Sequence, residues 1–349
     1  MLKVYTADQA SEWDSIVSSF EKYDTYWLSG YVKAFELHGD GKALLFYYAS
    51  ENARGINVVM KRDISECNYF KGKIPENLLF DFSSPYGYGG WLIEGDTENP
   101  GLFAEYEEWC RNNNIISEFV RFHPVIKNSI VCEKSYVVSQ LGKTVTLDLS
   151  SPETIWDNFT SKNRNMIRKA QKNGVRIYNG RYPELFKSFK DIYDKTMDKD
   201  NADSYYYFSD EFYKSIENDL PFNAQVFFAE YEQKIIASAI MLGANGFMNY
   251  HLSGSLREYS NLAPTNLLLY HAALWGNANK YGTLYLGGGV GSGEDSLFKF
   301  KKSFYRKDDL NSFYIGKKIF NKGKYEELKK MRVQINDENF FPNYRASGV

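Results

Sequence analysis

A chain of 349 residues can hold two domains, each with its own core, and 43% apolar with 25% charged residues excludes a disordered protein. A formal net charge of −2 excludes a general polyanion binder, so no DNA partner is expected. Three scattered cysteines (Cys67, Cys110, Cys132) and four histidines make no zinc pattern, and no run approaches the ~18 apolar residues of a membrane helix.

The N-terminal half opens with a predicted helix over 7–20, where Asp8 and Glu12 stand in place of the apolar core a signal peptide needs. A helix over 29–37 follows, then a hairpin of strands 43–49 and 55–60. A loop leads into Pro85-Tyr86-Gly87-Tyr88-Gly89-Gly90, a helix from Pro100 to about Asn113, and a strand over 117–122 that ends in Arg121-Phe122-His123-Pro124. The second half starts at Ser151-Pro152-Glu153, a cap followed by proline in the first turn. Helices over about 162–173, 183–197 and 210–219 are expected, with a strand over 175–178. An antiparallel meander of strands 225–231, 235–242 and 247–252 follows, turning at Glu232-Gln233 and Ala244-Asn245-Gly246. Pro264 opens a long helix to about Lys280, and Thr283–Leu286 reads as a strand.

That strand runs into Gly287-Gly288-Gly289-Val290-Gly291-Ser292-Gly293 and then Phe298-Lys299-Phe300-Lys301-Lys302. Glycines permit close backbone approach, and amides at a helix start favour negative charge, so the stretch reads as an anion or oxyanion site. It is not a Walker loop, because Glu294-Asp295 follows Gly293, and no register gives the dinucleotide G-x-G-x-x-G spacing. From Lys299 to Arg332 twelve basic residues face four acidic ones, which suggests a surface for a phosphate-bearing partner. Each half thus repeats one order of elements: helical entry, hairpin or meander, loop, helix, strand. The expected domains are 1–150 and 151–349.

Taken together, these stretches resemble the FemAB-like transferases and their shorter BioF2-like relatives within the GNAT superfamily. The likeness is carried by 161–170 (SKNRNMIRKA), by Tyr250-His251-Leu252-Ser253-Gly254-Ser255, and by Gly287-Gly288 leading to Phe300-Lys301-Lys302-Ser303-Phe304. Tyr86, Tyr88, Arg121 and His123 add to it from the first half. The resemblance implies an α+β (mixed α/β) fold of two tandem GNAT-like domains, each a mostly antiparallel mixed sheet flanked by helices. It implies transfer of an acyl or aminoacyl group to an amine of a cell-envelope precursor, a muropeptide or an amino sugar, nucleotide- or lipid-linked. Charged tRNA or acyl-CoA would be the donor; neither a tightly bound cofactor nor a metal is implied. The chain lacks the long coiled-coil arm of the best-known members, and Ser255–Ala263 stands where the usual GNAT pyrophosphate loop would be. A CoA-dependent N-acyltransferase of a nucleotide-linked amino sugar and a catalytically idle precursor binder are the competing expectations. A cytoplasmic location with at most peripheral membrane contact follows from the free thiols and the lack of a membrane run.

The resemblance places Phe300 and Lys301 at the active centre, with Lys301 as the cation for a developing oxyanion. His251 is a candidate general base, having an ordinary pKa near neutrality. Arg164 and Arg168, with Lys172, fall on one helical face and suit a diphosphate. Tyr86, Tyr88, Arg121, His123, Tyr250, Phe300, Gly287 and Gly288 are candidate substrate contacts. Asp295 is expected to cap the helix that follows it.

Overall fold

The computed structural model describes residues 1–97, 100–332 and 339–346. The chain forms two compact units, one of Met1–Leu141 with Phe313–Val349 and one of Gly142–Ser312. The sequence was expected to divide once, after residue 150; the units divide it twice, because the last stretch returns to the first unit.

In chain order the elements of the first unit begin with β1 (Leu2–Thr6), α1 (Ala10–Ser18), α2 (Ser29–His38), β2 (Lys42–Ala49), β3 (Ala53–Asp63), β4 (Phe80–Ser83), β5 (Leu92–Gly95), α3 (Pro100–Asn112) and β6 (Ile115–Arg121). Next come β7 (Val137–Asp148), α4 (Pro152–Asn158), α5 (Ser161–Lys172), β8 (Arg176–Gly180), α6 (Pro183–Asp200), α7 (Asp210–Asp219), β9 (Ala224–Tyr231), β10 (Lys234–Ala244), β11 (Phe247–Ser255), α8 (Pro264–Ala278), β12 (Thr283–Gly287) and α9 (Ser296–Lys302). The chain ends with β13 (Asn311–Ile319) and α10 (Lys322–Met331).

In the first unit the strand order is β1-β2-β3-β4-β6-β13, with β5 paired to β3 beyond β4. All pairs are antiparallel except β4 with β6. Alternation puts Phe46, Phe82 and Phe122 into a core closed by Trp91 and by Tyr106 of α3. The returning segment supplies Tyr325, Leu328 and Tyr344 to a second cluster around Phe70 and Ile116. There Asp81, fully buried, takes Arg62 Nε at 2.8 Å, Arg345 Nε at 2.5 Å and Tyr344 Oη at 3.0 Å.

In the second unit the order is β7-β12-β11-β10-β9-β8, again antiparallel but for one pair, β11 with β12. The meander is tight because Asn245 and Gly246 adopt φ of 47° and 81°, the left-handed values of a two-residue hairpin turn. Helix α5 turns Asn163, Ile167 and Ala170 inward, a spacing of four and three that makes one face. The expected mixed α/β architecture of two similar units, each a mostly antiparallel sheet with helices, is what the chain forms.

Candidate active site in the second unit

The parallel pairing of β11 and β12 covers three residues, ending at Asn249 opposite Tyr285. From there β11 continues along β10 and β12 along β7, so the two strands part. Each is irregular at that point. On β11 the register jumps from Leu252 to Tyr250, making His251 the extra residue, and on β12 it jumps from Tyr285 to Gly287, making Leu286 extra. Bulges of this kind re-aim side chains and are common beside active sites.

The glycine loop leaves the end of β12 at this opening. Gly287 adopts φ +82°, and a Cβ there would sit 3.3 Å from Lys301 Nζ. At Gly289 a Cβ would collide with the Gly293 carbonyl and the Asp295 carboxylate. Glycine is thus required at both places, one for its φ and one for close approach. Asp295 holds the loop shut: Oδ1 accepts from Phe298 N at 2.8 Å, capping α9 as expected, and Oδ2 accepts from Val290 N at 3.0 Å. Helix α9 is tied to the start of α5, since the Ser303 carbonyl accepts from both Thr160 N and Thr160 Oγ1 at 3.0 Å. Phe304 buries against Phe159 and Phe300, which makes Phe300 partly a packing residue of this helix.

This frame presents Lys301. Its ammonium donates to the Gly288 carbonyl at 2.7 Å, and burial pushes its pKa down to about 8, against an opposing pull from Asp295. A half-buried cation with one carbonyl partner among the described residues keeps donors for an incoming oxyanion. His251 does not keep the near-neutral value that suggested a general base: burial pushes it down to about 3, so the imidazole is neutral at pH 7 and weakly basic. Tyr250, next to it, is pushed up to about 12 by burial, in spite of a hydrogen bond with Ser253.

The other candidates are distributed as follows. Arg164 lies 4.0 Å from Asp157, and Arg168 is exposed with its guanidinium 5.2 Å from the Trp156 ring. Among the described residues no hydrogen bond or ion pair joins either arginine to Lys301 or Gly288. In the first unit, His123 is fully buried: Nδ1 accepts from Ile126 N at 3.1 Å, so Nε2 donates to Asp24 at 2.9 Å. Tyr88 stands edge-on to Tyr26 and His123, Tyr86 stacks on Phe35 at 5.5 Å, and Arg121 is exposed. The basic stretch 299–332 is divided between the units, and within it Lys318 is buried on Glu107 at 2.7 Å.

Sequence reasoning passed over the amide pair Asn163 and Asn266. Asn266 Nδ2 donates to Asn163 Oδ1 at 2.8 Å, while Asn163 Nδ2 is buried with no partner among the described residues. It also passed over α8's own start: the N-cap is Ala263, at φ 52°, which brings no capping side chain. The inward position of Asn163 on a 3.6 period was the available signal for the first, and the lack of Ser, Thr, Asp or Asn before Pro264 for the second.

Residues 133–230 match the FemAB family. In fold, FemX is similar with a TM-score of 0.67 at 13% identity, covering 94% of this chain and 99% of that one. A conserved protein of unknown function from Bacteroides thetaiotaomicron gives 0.60 at 10% identity, covering 90% of this chain and 99% of that chain. The C-terminal domain of a putative lysylphosphatidylglycerol synthetase from Agrobacterium fabrum gives 0.55 at 14% identity, with 91% and 92% covered. No curated protein matches the chain. The chain is FemAB-like in fold and in the matched stretch.

Proposed function

We propose that this FemAB-like chain is a transferase that moves an aminoacyl or acyl group onto an amine of a cell-envelope precursor, a muropeptide or an amino sugar. The observation that carries the reading is the Lys301 ammonium, half-buried where β11 and β12 part and fixed by the Gly288 carbonyl. The match of 133–230 to the FemAB family supports the reaction class, and the fold shared with a protein named for lysylphosphatidylglycerol synthesis is in keeping with an aminoacyl donor.

In this reaction the amine nitrogen attacks the donor carbonyl carbon and the carbonyl pair moves onto oxygen. The oxyanion then collapses, the bond to the donor's oxygen or sulfur breaks, and one amine proton ends on the leaving group. Lys301 donates to the oxyanion as it forms, from a site whose low polarity strengthens that bond. The uncapped first turn of α8 offers amides to an anionic group of the donor, aminoacyl-tRNA or acyl-CoA.

The test is a thermal-shift and single-turnover panel on the full chain with UDP-linked muropeptide, UDP-linked amino sugars, aminoacyl-tRNA and acyl-CoA. The expected result is stabilisation by a precursor and product formation that disappears in Lys301→Met. Precursor binding without transfer from either donor would overturn the enzymatic reading in favour of a binding protein.

A further inference from the structure

The parting of two parallel strands occurs in the first unit as well, and there it opens a groove. Strands β4 and β6 pair in parallel, Gly89 bridges to Phe122, and beyond that point β5 and the segment after β6 diverge. The groove between them has a volume of about 660 Å³. That is within the range of sites that enclose a small ligand, roughly 300–1,000 Å³.

Three observations describe its occupant. First, β5 is an edge: among the described residues it pairs only with β3. Asp96 N donates to Asn52 O at 2.9 Å, which fixes the alternation so that Glu94 and Leu92 bond to β3 while Trp91 and Ile93 direct their backbone groups outward. Second, at Trp91 the opposite wall already uses that edge, since Asn128 Nδ2 donates to the Trp91 carbonyl at 3.3 Å. Ile93 lines the groove beyond that bond, and its outward N–H and C=O have no hydrogen-bond partner among the described residues. Third, the groove's charges leave a positive excess: Glu94 is taken by Arg54 at 2.5 Å, whereas Lys22 and Lys127 have no ion-pair partner among the described residues. Of the lining residues that carry charge, Lys22, Arg54 and Lys127 outnumber Glu21 and Glu94.

We propose that this groove binds an extended peptide carrying a free carboxylate, added as a strand to the outer edge of β5. Ile93 supplies the backbone pair, Phe20 and Ile126 supply apolar contact for alternate side chains, and Lys22 and Lys127 hold the carboxylate. The inference concerns the first unit alone and does not depend on the transfer reaction.

The test titrates the full-length protein with the pentapeptide Val-Ala-Val-Ala-Ala, with its C-terminal amide, and with a copy N-methylated at alternate backbone positions. Calorimetry gives affinity, and amide resonances give location. The expected result is binding that shifts the Ile93 and Lys127 amides, is about tenfold weaker for the C-terminal amide, as loss of a charge-assisted pair implies, and is absent for the N-methylated copy. Lys22→Gln with Lys127→Gln, both on the surface, should weaken the acid about tenfold and leave the amide peptide unchanged. No binding at several millimolar peptide overturns the proposal. So does affinity indifferent to amidation or N-methylation, or displacement of the peptide from these resonances by free coenzyme A.

Discussion

Lys301 and His251 differ from ordinary lysine and histidine in the same direction, and both shifts come from burial. If Lys301 acts as a cation, activity should fall as pH rises through about 8, the range in which it loses its proton. Replacement by Met should lower kcat by roughly 10²–10³, the usual loss for one oxyanion donor. The stability effect has the opposite sign to the activity effect. With a folded pKa of about 8 against 10.5, the unfolded chain binds more protons across that window, so wild-type stability should rise from pH 8 to 10.5 relative to Lys301→Met. Thermal melts of both proteins across that range check it. For His251, lowered from 6.5 to about 3, stability should be lost as pH falls below 6.5, and its ring resonances should not titrate between pH 5 and 8. A ring that titrates near neutrality would restore it as a general base.

At the scale of elements, the glycine loop works through what it excludes. Gly287→Ala places a side chain at φ +82°, a left-handed strain of about 1–2 kcal/mol, and presses on Lys301. The expected outcome is a melting temperature lowered by several degrees with a larger loss in kcat, read by calorimetry and turnover. Thr160→Ala removes the cap of α5 and its bond to the Ser303 carbonyl, at a cost of about 1 kcal/mol, and should loosen α9. Most of these elements were legible beforehand because their signals are local. The Asn245-Gly246 turn and the proline starts of α4 and α8 need no partner to be read. Strands β1, β4, β5, β7 and β13 and helix α10 were not read. Half of β7 is exposed and β13 alternates weakly, so neither carries a clean period of two. The site divides in the same way. Lys301, Gly287 and Asp295 were visible as a motif, whereas the bulge at His251 depends on register with β10 and the Asn163–Asn266 pair on packing of two helices distant in sequence.

Over the whole molecule, the first unit is completed by residues that come last. Burial alone would raise the pKa of Asp81, but Arg345 and Arg62 outweigh it and hold the carboxyl below its usual value. Stability from this cluster should therefore be lost as pH falls through the range below 3.8. Arg345→Met should cost up to about 3–5 kcal/mol, less whatever Arg62 retains, because it breaks a buried pair, and denaturant unfolding of the first unit measures it. Strand β13 pairs along β6 from Ser117 to Arg121, nearly two hundred positions earlier in the chain. On the ribosome, where a chain emerges at roughly 5–20 residues per second, the unit begun first therefore cannot be the unit finished first. A nascent chain stalled with residue 312 just outside the exit tunnel should resist a brief protease pulse over 142–312 and be cut in the stretch before it. The order of synthesis is reversed in the order of folding, and the edge of β6 that β13 will occupy stays bare during that interval.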